Sequence, residues 1–202
     1  MFIDDVPAIQ AHALASAKGL SDVIEFVLCT IRQPLQRMQA QRADIAAKGA
    51  ASAFLFGPKR AGWIFAQEHA DYLYRVTLDI LNRDDSDDRK ADLIQHFMQV
   101  PGLGMVKAAF VVQCIGGGTA CIDSHNLTRL GLTEAAVRVS SKLKPATIRA
   151  KVLAYVGMCE STGGSAYWWD TWCDYVADRR GSPLKTAEAV SKYHVAAVVS
   201  FA

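Results

Sequence analysis

The sequence predicts an all-α domain, and three observations predict it. Apolar residues recur at helical spacing along most of the chain. No alternating apolar run lasts long enough to make a strand. Glycine and proline fall mainly between the periodic stretches, where they punctuate helices. The 202 residues are 51% hydrophobic and 21% charged, which excludes a disordered or low-complexity chain. A chain of this length buries roughly 70% of its unfolded surface, so its core needs neither disulfide nor metal.

Taken in order, Ser21 is a candidate cap for a helix through Val23, Ile24, Val27, Leu28 and Ile31, which line one face. Pro34 breaks it, and a helix over 35–48 stops at Gly49. After Gly57-Pro58 a long helix fits 60–83. The acidic run Asp84-Asp85-Ser86-Asp87-Asp88 reads as a helix-start signal, because carboxylates favour the positive end of a helix dipole. Helices follow at 88–99 and 105–115, separated by Pro101-Gly102-Leu103-Gly104 and ended by Gly116-Gly117-Gly118. Thr133 caps a helix at 134–142, and Pro145 opens one at 146–159. An aromatic helix fits 165–179, and a last one starts at Ser182-Pro183. The expectation is nine or ten helices in a single domain over 1–202, with no internal repeat or linker.

The formal charge is +2 and the pI about 8.3, short of the value above about 9 that marks a nucleic-acid domain by charge alone. The charge is uneven: residues 1–100 hold 11 Lys/Arg against 13 Asp/Glu, and 101–202 hold 11 against 7. A polyanion would meet the second half more readily. Cys29, Cys114, Cys121, Cys159 and Cys173 form no CxxC pair, which argues against a disulfide framework or a zinc knuckle. The acidic start, Met1-Phe-Ile-Asp4-Asp5, is unlike a secretory leader, and no apolar stretch is long enough to cross a bilayer. A cytoplasmic protein with reduced thiols and no membrane partner is expected.

The chemistry-bearing stretch is Val100-Pro-Gly-Leu-Gly104-Met-Val-Lys107, about 88–115 with its helices, followed by the loop 119–126 containing Cys121-Ile-Asp123-Ser-His125-Asn126. Gly102 and Gly104 permit a sharp turn and close backbone approach. The first amides of the next helix lack internal acceptors and make a seat for phosphate, with Lys107 adding a point charge. An αα-hairpin that merely packs is the competing reading. Asp123, nineteen residues after Gly104, stands between an apolar pair and a polar run, at the rim of a core.

This pairing resembles the helix–hairpin–helix DNA glycosylase superfamily, whose pattern is Leu-Pro-Gly-(Val/Leu)-Gly, a helix, then a Val-Asp-Thr-His-like segment about twenty residues on. Here the two parts read Val-Pro-Gly-Leu-Gly and Ile-Asp-Ser-His, over about 35 residues at 97–131. The resemblance implies a two-lobed helical fold with a cleft and double-stranded DNA as partner. It implies strand contacts from Gly102, Leu103, Gly104, Val106 and Lys107, and a nucleotide flipped toward Asp123. A carboxylate there stabilises an oxocarbenium-like transition state and orients or deprotonates water. Bifunctional members carry a nucleophilic Lys two residues after the last hairpin glycine; that position is Val106, and Lys107 should point about 100° away. Monofunctional N-glycosidic hydrolysis is therefore expected rather than Schiff-base lyase chemistry. Cys159 and Cys173 are too few for the iron–sulfur cluster of some members, so no cofactor or metal is expected.

The same segment also resembles bacteriophage proteins of this fold that modify 5-hydroxymethyluracil derivatives in DNA, for example by amino acid transfer. In that case Asp123 would act on a base substituent and the sugar bond would survive. A non-catalytic DNA-binding module that keeps only the hairpin is the third alternative.

Trp168, Trp172 and Tyr175 recur as a core stripe, leaving Trp169 as the better candidate for an exposed cleft aromatic. His125 either packs beneath the Asp loop or reaches the cleft, and Asn126 either caps the next helix or orients Asp123. Gln33, Gln36, Gln39 and Gln41 read as a solvated face or as a wedge for the gap left by a flipped base. Lys142, Lys144, Arg149 and Lys151 form the densest basic cluster, a solvated surface or a second strand contact.

Overall fold

A computed structural model describes residues 6–31, 35–49, 54, 56–140 and 142–170. The described residues are helical with no strand. Helix α1 (Val6–Ala15) and helix α2 (Ala17–Thr30) are separated by Ser16, whose Oγ accepts the Gly19 N–H at 3.0 Å. The expected cap at Ser21 is corrected here. Ser21 lies one turn inside α2, buried, and its Oγ donates to the Ala66 carbonyl at 2.7 Å. Helix α2 is the hub of the fold. Leu20, Val23, Ile24, Phe26, Val27, Leu28 and Cys29 are all buried, and α1, α3 (Leu35–Lys48), α4 (Gly57–Glu68), α5 (Ala70–Leu81) and α7 (Met105–Cys114) pack around it.

The expected helix over 60–83 is two helices. The chain breaks between α4 and α5 at His69, with φ −112° and ψ 21°. No helix breaker stands there. The Phe65 carbonyl takes the His69 N–H, and the His69 carbonyl in turn accepts from Leu73 N–H. Helix α6 (Asp87–Met98) starts as its acidic run predicts, with Ser86 Oγ accepting the Arg89 N–H at 3.1 Å. Helices α5 and α7 flank α6.

The chain then makes two short helices, α8 (Ser124–Arg129) and α9 (Glu134–Val137). The expected helix at 134–142 is cut to four residues because Arg138 turns extended, at φ −75° and ψ 125°. Helix α10 (Pro145–Ser161) lies along α6. Arg149 fastens the two, reaching Asp88 and Asp92 at 2.6 Å each and Gln95 at 2.9 Å. Residues 164–170 are again helical. Trp172, Tyr175, Cys173 and the expected helix after Ser182 lie outside the described residues, as do Gln33 and the side chains of Gln36 and Gln39. None of the described helices is long and apolar enough to cross a membrane.

Candidate functional site

The hairpin 101–104 joins α6 to α7 and is seated on α4 through two glycines. Gly62 of α4 faces the Pro101 carbonyl, which a Cβ at 62 would meet at 2.1 Å. Gly102, at φ +84°, faces the Pro58 carbonyl, which its own Cβ would meet at 2.9 Å. The close approach that Gly102 permits is therefore to α4 of the same chain. Leu103 is buried at 4% exposure, and its amide donates to the Val100 carbonyl, so neither its side chain nor its N–H faces solvent chemistry. Gly104 differs: it is exposed, its φ is −78°, and nothing lies within 4 Å of where a Cβ would stand. It caps α7 without any side-chain bond. Behind it the Met105 and Val106 amides open the helix, where no intrahelical carbonyl can accept them.

Asp123 is held by a buried polar scaffold. Thr119 Oγ1 donates to the Ala109 carbonyl at 3.1 Å, and the Cys121 N–H donates to Gln113 Oε1 at 3.0 Å. Tyr155 Oη accepts the Ile122 N–H at 2.9 Å and donates to the Ala120 carbonyl at 2.7 Å. Asp123 Oδ1 then caps α8 by accepting the Asn126 N–H at 3.1 Å. Asn126 itself is inside α8 and does not cap it; it is 4% exposed, and its Nδ2 donates back to the Cys121 carbonyl at 3.4 Å. The sequence reading missed Gln113 and Tyr155. The one amide within the apolar helix Met105–Cys114 was the available signal, since buried polar groups are normally bonded.

The two motifs meet. A cavity of about 480 Å³ is lined by Thr30 and Ile31 from α2, by Gly104, Met105, Val106 and Lys107, and by Asp123, Ser124 and Leu127. Glu134, Val137, Arg138 and Val139 complete it. This lies within the roughly 300–1,000 Å³ of small-molecule sites. Val106 and Lys107, about 100° apart on the helix, both line the cleft. The Lys107 ammonium donates to Thr30 Oγ1 at 3.3 Å and lies 5.4 Å from the centre of the Phe110 ring.

Burial raises the Cys121 thiol to about 11, with the Lys107 charge opposing and the Asp123 charge assisting, so both charged groups lie near this sulfur. Burial likewise lifts Cys29 to about 12, helped by Glu25, and Cys159 to about 12. These three thiols and that of Cys114 are free and buried, and inert for that reason.

Trp169 is not an exposed cleft aromatic. It is 5% exposed, and its ring centre lies 6.4 Å from that of Phe110. Trp168 is buried as the stripe predicts, with Nε1 donating to Thr162 Oγ1 at 2.9 Å. The backbone of His125 belongs to α8; its side chain lies outside the described residues. Of the basic cluster, Arg149 is engaged with α6, whereas Lys142 and Lys144 are exposed, a few residues after the extended Arg138. No group of three or more His, Cys, Asp or Glu is placed to hold a metal ion among the described residues.

No family model, curated protein or solved structure matches this chain.

Proposed function

We propose that this protein acts on a nucleotide extruded from double-stranded DNA and hydrolyses its N-glycosidic bond, with Asp123 as the essential carboxylate. The observation that carries the reading is that Asp123 and the first turn after the glycine hairpin line one cleft. Gly104 and the Met105 and Val106 amides give a strand phosphate an open helix start to rest on. Arg138 adds positive charge at the cleft, and the exposed Lys142 and Lys144 follow it closely in the chain.

Chemically, the bond between C1′ and the base nitrogen breaks with its electron pair leaving on the base. Positive charge builds on the sugar, and Asp123 stabilises it. The same carboxylate takes a proton from the water that adds to C1′. One Asp123 oxygen is fixed by the Asn126 N–H, which orients the group without reorganisation at the moment of reaction. Lys107 stands in the cleft with its ammonium bonded to Thr30, and the reading gives it no covalent step.

The test is incubation with duplex DNA containing damaged or 5-hydroxymethyl bases. Abasic sites are expected. A base of increased mass on an intact sugar bond would replace hydrolysis with base modification in the same cleft. Binding without chemistry would leave only a DNA-binding module.

A further inference from the structure

We infer that Glu134 and Arg138 select the base that enters this cleft, and that the class they select is a guanine-type ring. Both line the cavity, together with the apolar side chains of Val137 and Val139. Both are exposed, and among the described residues no hydrogen bond or ion pair engages either charged group. Glu134 stands four residues before Arg138, the spacing and order in which a glutamate and a basic residue ordinarily pair on a helix. The two are unpaired in this structure, and an exposed pair of this kind is worth too little to keep a ligand out.

The carboxylate of Glu134 is otherwise unemployed. A cleft that receives a DNA strand is disfavoured by negative charge on its lining, because a carboxylate repels phosphates. Asp123 has the proposed chemistry and the cap of α8 to offset that repulsion. Glu134 has neither, and the four residues of α9 align too few peptide dipoles to reward its first-turn acid much. A carboxylate only accepts hydrogen bonds, so the ligand that suits it presents N–H groups. A guanidinium only donates, so the same ligand presents acceptors to Arg138. Guanine offers both in adjacent pairs. Its N1–H and N2 amino group donate side by side to the two oxygens of a carboxylate, and its O6 and N7 accept side by side from the fork of an arginine. Adenine and cytosine present a single amino group. Uracil and its 5-substituted relatives present one N–H between two carbonyls, which a carboxylate repels. About 6 Å of helix rise separates the two residues, so one ring reaches both heads. Ile31, Met105 and Leu127 give the faces of such a ring apolar surface to lie on.

The inference rests on this cleft being the reaction site, and its test reads binding so that it needs no turnover. The full chain carrying Asp123→Asn is titrated with duplexes that hold one guest base opposite an abasic analogue, where extrusion costs least. The guests are guanine, hypoxanthine, which lacks the N2 amino group, 7-deazaguanine, which lacks the N7 acceptor, and 5-hydroxymethyluracil. Guanine should bind tightest, with hypoxanthine and 7-deazaguanine each weaker by at least about fivefold and 5-hydroxymethyluracil weakest. Adding Glu134→Ala should erase the difference between guanine and hypoxanthine. Adding Arg138→Ala should erase the difference between guanine and 7-deazaguanine. Both side chains are exposed, so Tm should not move in either variant. Tighter binding of 5-hydroxymethyluracil than of guanine, or a ranking unmoved by Glu134→Ala, would overturn the inference. Uniform weakening of all four duplexes by Arg138→Ala would make that residue a strand contact and remove it from base selection. A guanine preference in a protein that never releases a base would retire the glycosidic reading and leave the selection standing. Base release from the 5-hydroxymethyluracil duplex alone would do the reverse.

Discussion

Asp123 has two duties, and different substitutions separate them. As a cap it accepts the Asn126 N–H; as a cleft residue it faces the proposed sugar. Asn caps a helix about as well as Asp, so Asp123→Asn should keep the melting temperature and lower turnover by about 10²-fold or more. Asp123→Ala should lose the cap as well, about 1 kcal/mol of stability. The two hairpin glycines separate in the same way. Gly104→Ala places a methyl in open space at an ordinary φ and should cost less than about 1 kcal/mol, so a large loss of DNA affinity would report a strand passing there. Gly102→Ala combines a positive φ with a contact to the Pro58 carbonyl and should destabilise the fold itself. Thermal melts beside binding isotherms check both pairs.

His96 is a residue-scale test of pH. Gln99 Nε2 donates to its Nδ1 at 2.9 Å, and the Leu73 carbonyl lies 3.2 Å from Nε2, an arrangement that suits the neutral ring. Burial lowers its pKa below 6.5, against the smaller raising effect of the Leu73 carbonyl. The unfolded chain thus binds a proton that the folded chain refuses. Stability from this site is full above about pH 6.5 and is lost as pH falls below it. Denaturant midpoints between pH 7.5 and 5 should fall, and His96→Gln should flatten the fall.

At the scale of elements, the Asp loop depends on α7 and α10 through Gln113 and Tyr155. Tyr155→Phe strands the buried Ile122 N–H and leaves the Ala120 carbonyl only the weak Cys159 thiol donor at 3.8 Å, and should cost about 1–3 kcal/mol for the unsatisfied N–H. The exposed lysines after Arg138 behave differently. Lys142→Ala and Lys144→Ala should leave stability unchanged and each reduce the salt slope of DNA binding by about one. Arg149→Ala should instead loosen α10 from α6, since Arg149 is bonded to Asp88, Asp92 and Gln95. An Arg149 variant that lowers the salt slope with no change in Tm would reverse that assignment.

For the molecule as a whole, the helical class was legible because apolar periodicity and glycine–proline punctuation agree. The caps and breaks were less so. Ser16 and Ser21 both precede apolar positions at helical spacing, and only packing decides that Ser21 bonds to Ala66 while Ser16 caps. The break at His69 has no local signal, because nothing in Glu68-His-Ala70 forbids a helix. Helix α1 was missed because its apolar residues surround it rather than forming a stripe, with Ile9 and Ala13 buried. In the site, Asp123 and the hairpin were readable from local pattern. The position of Lys107 and the burial of Trp169 and Lys59 come from contacts between distant helices, which no local pattern encodes.

The most direct measurement is mass spectrometry of nucleosides and free bases from duplex DNA exposed to the protein and, in parallel, to Asp123→Asn. Base release by the unsubstituted chain, reduced at least about 100-fold in a variant that still binds DNA, is the predicted result. Equal release by both proteins, or a heavier base still joined to its sugar, would contradict it.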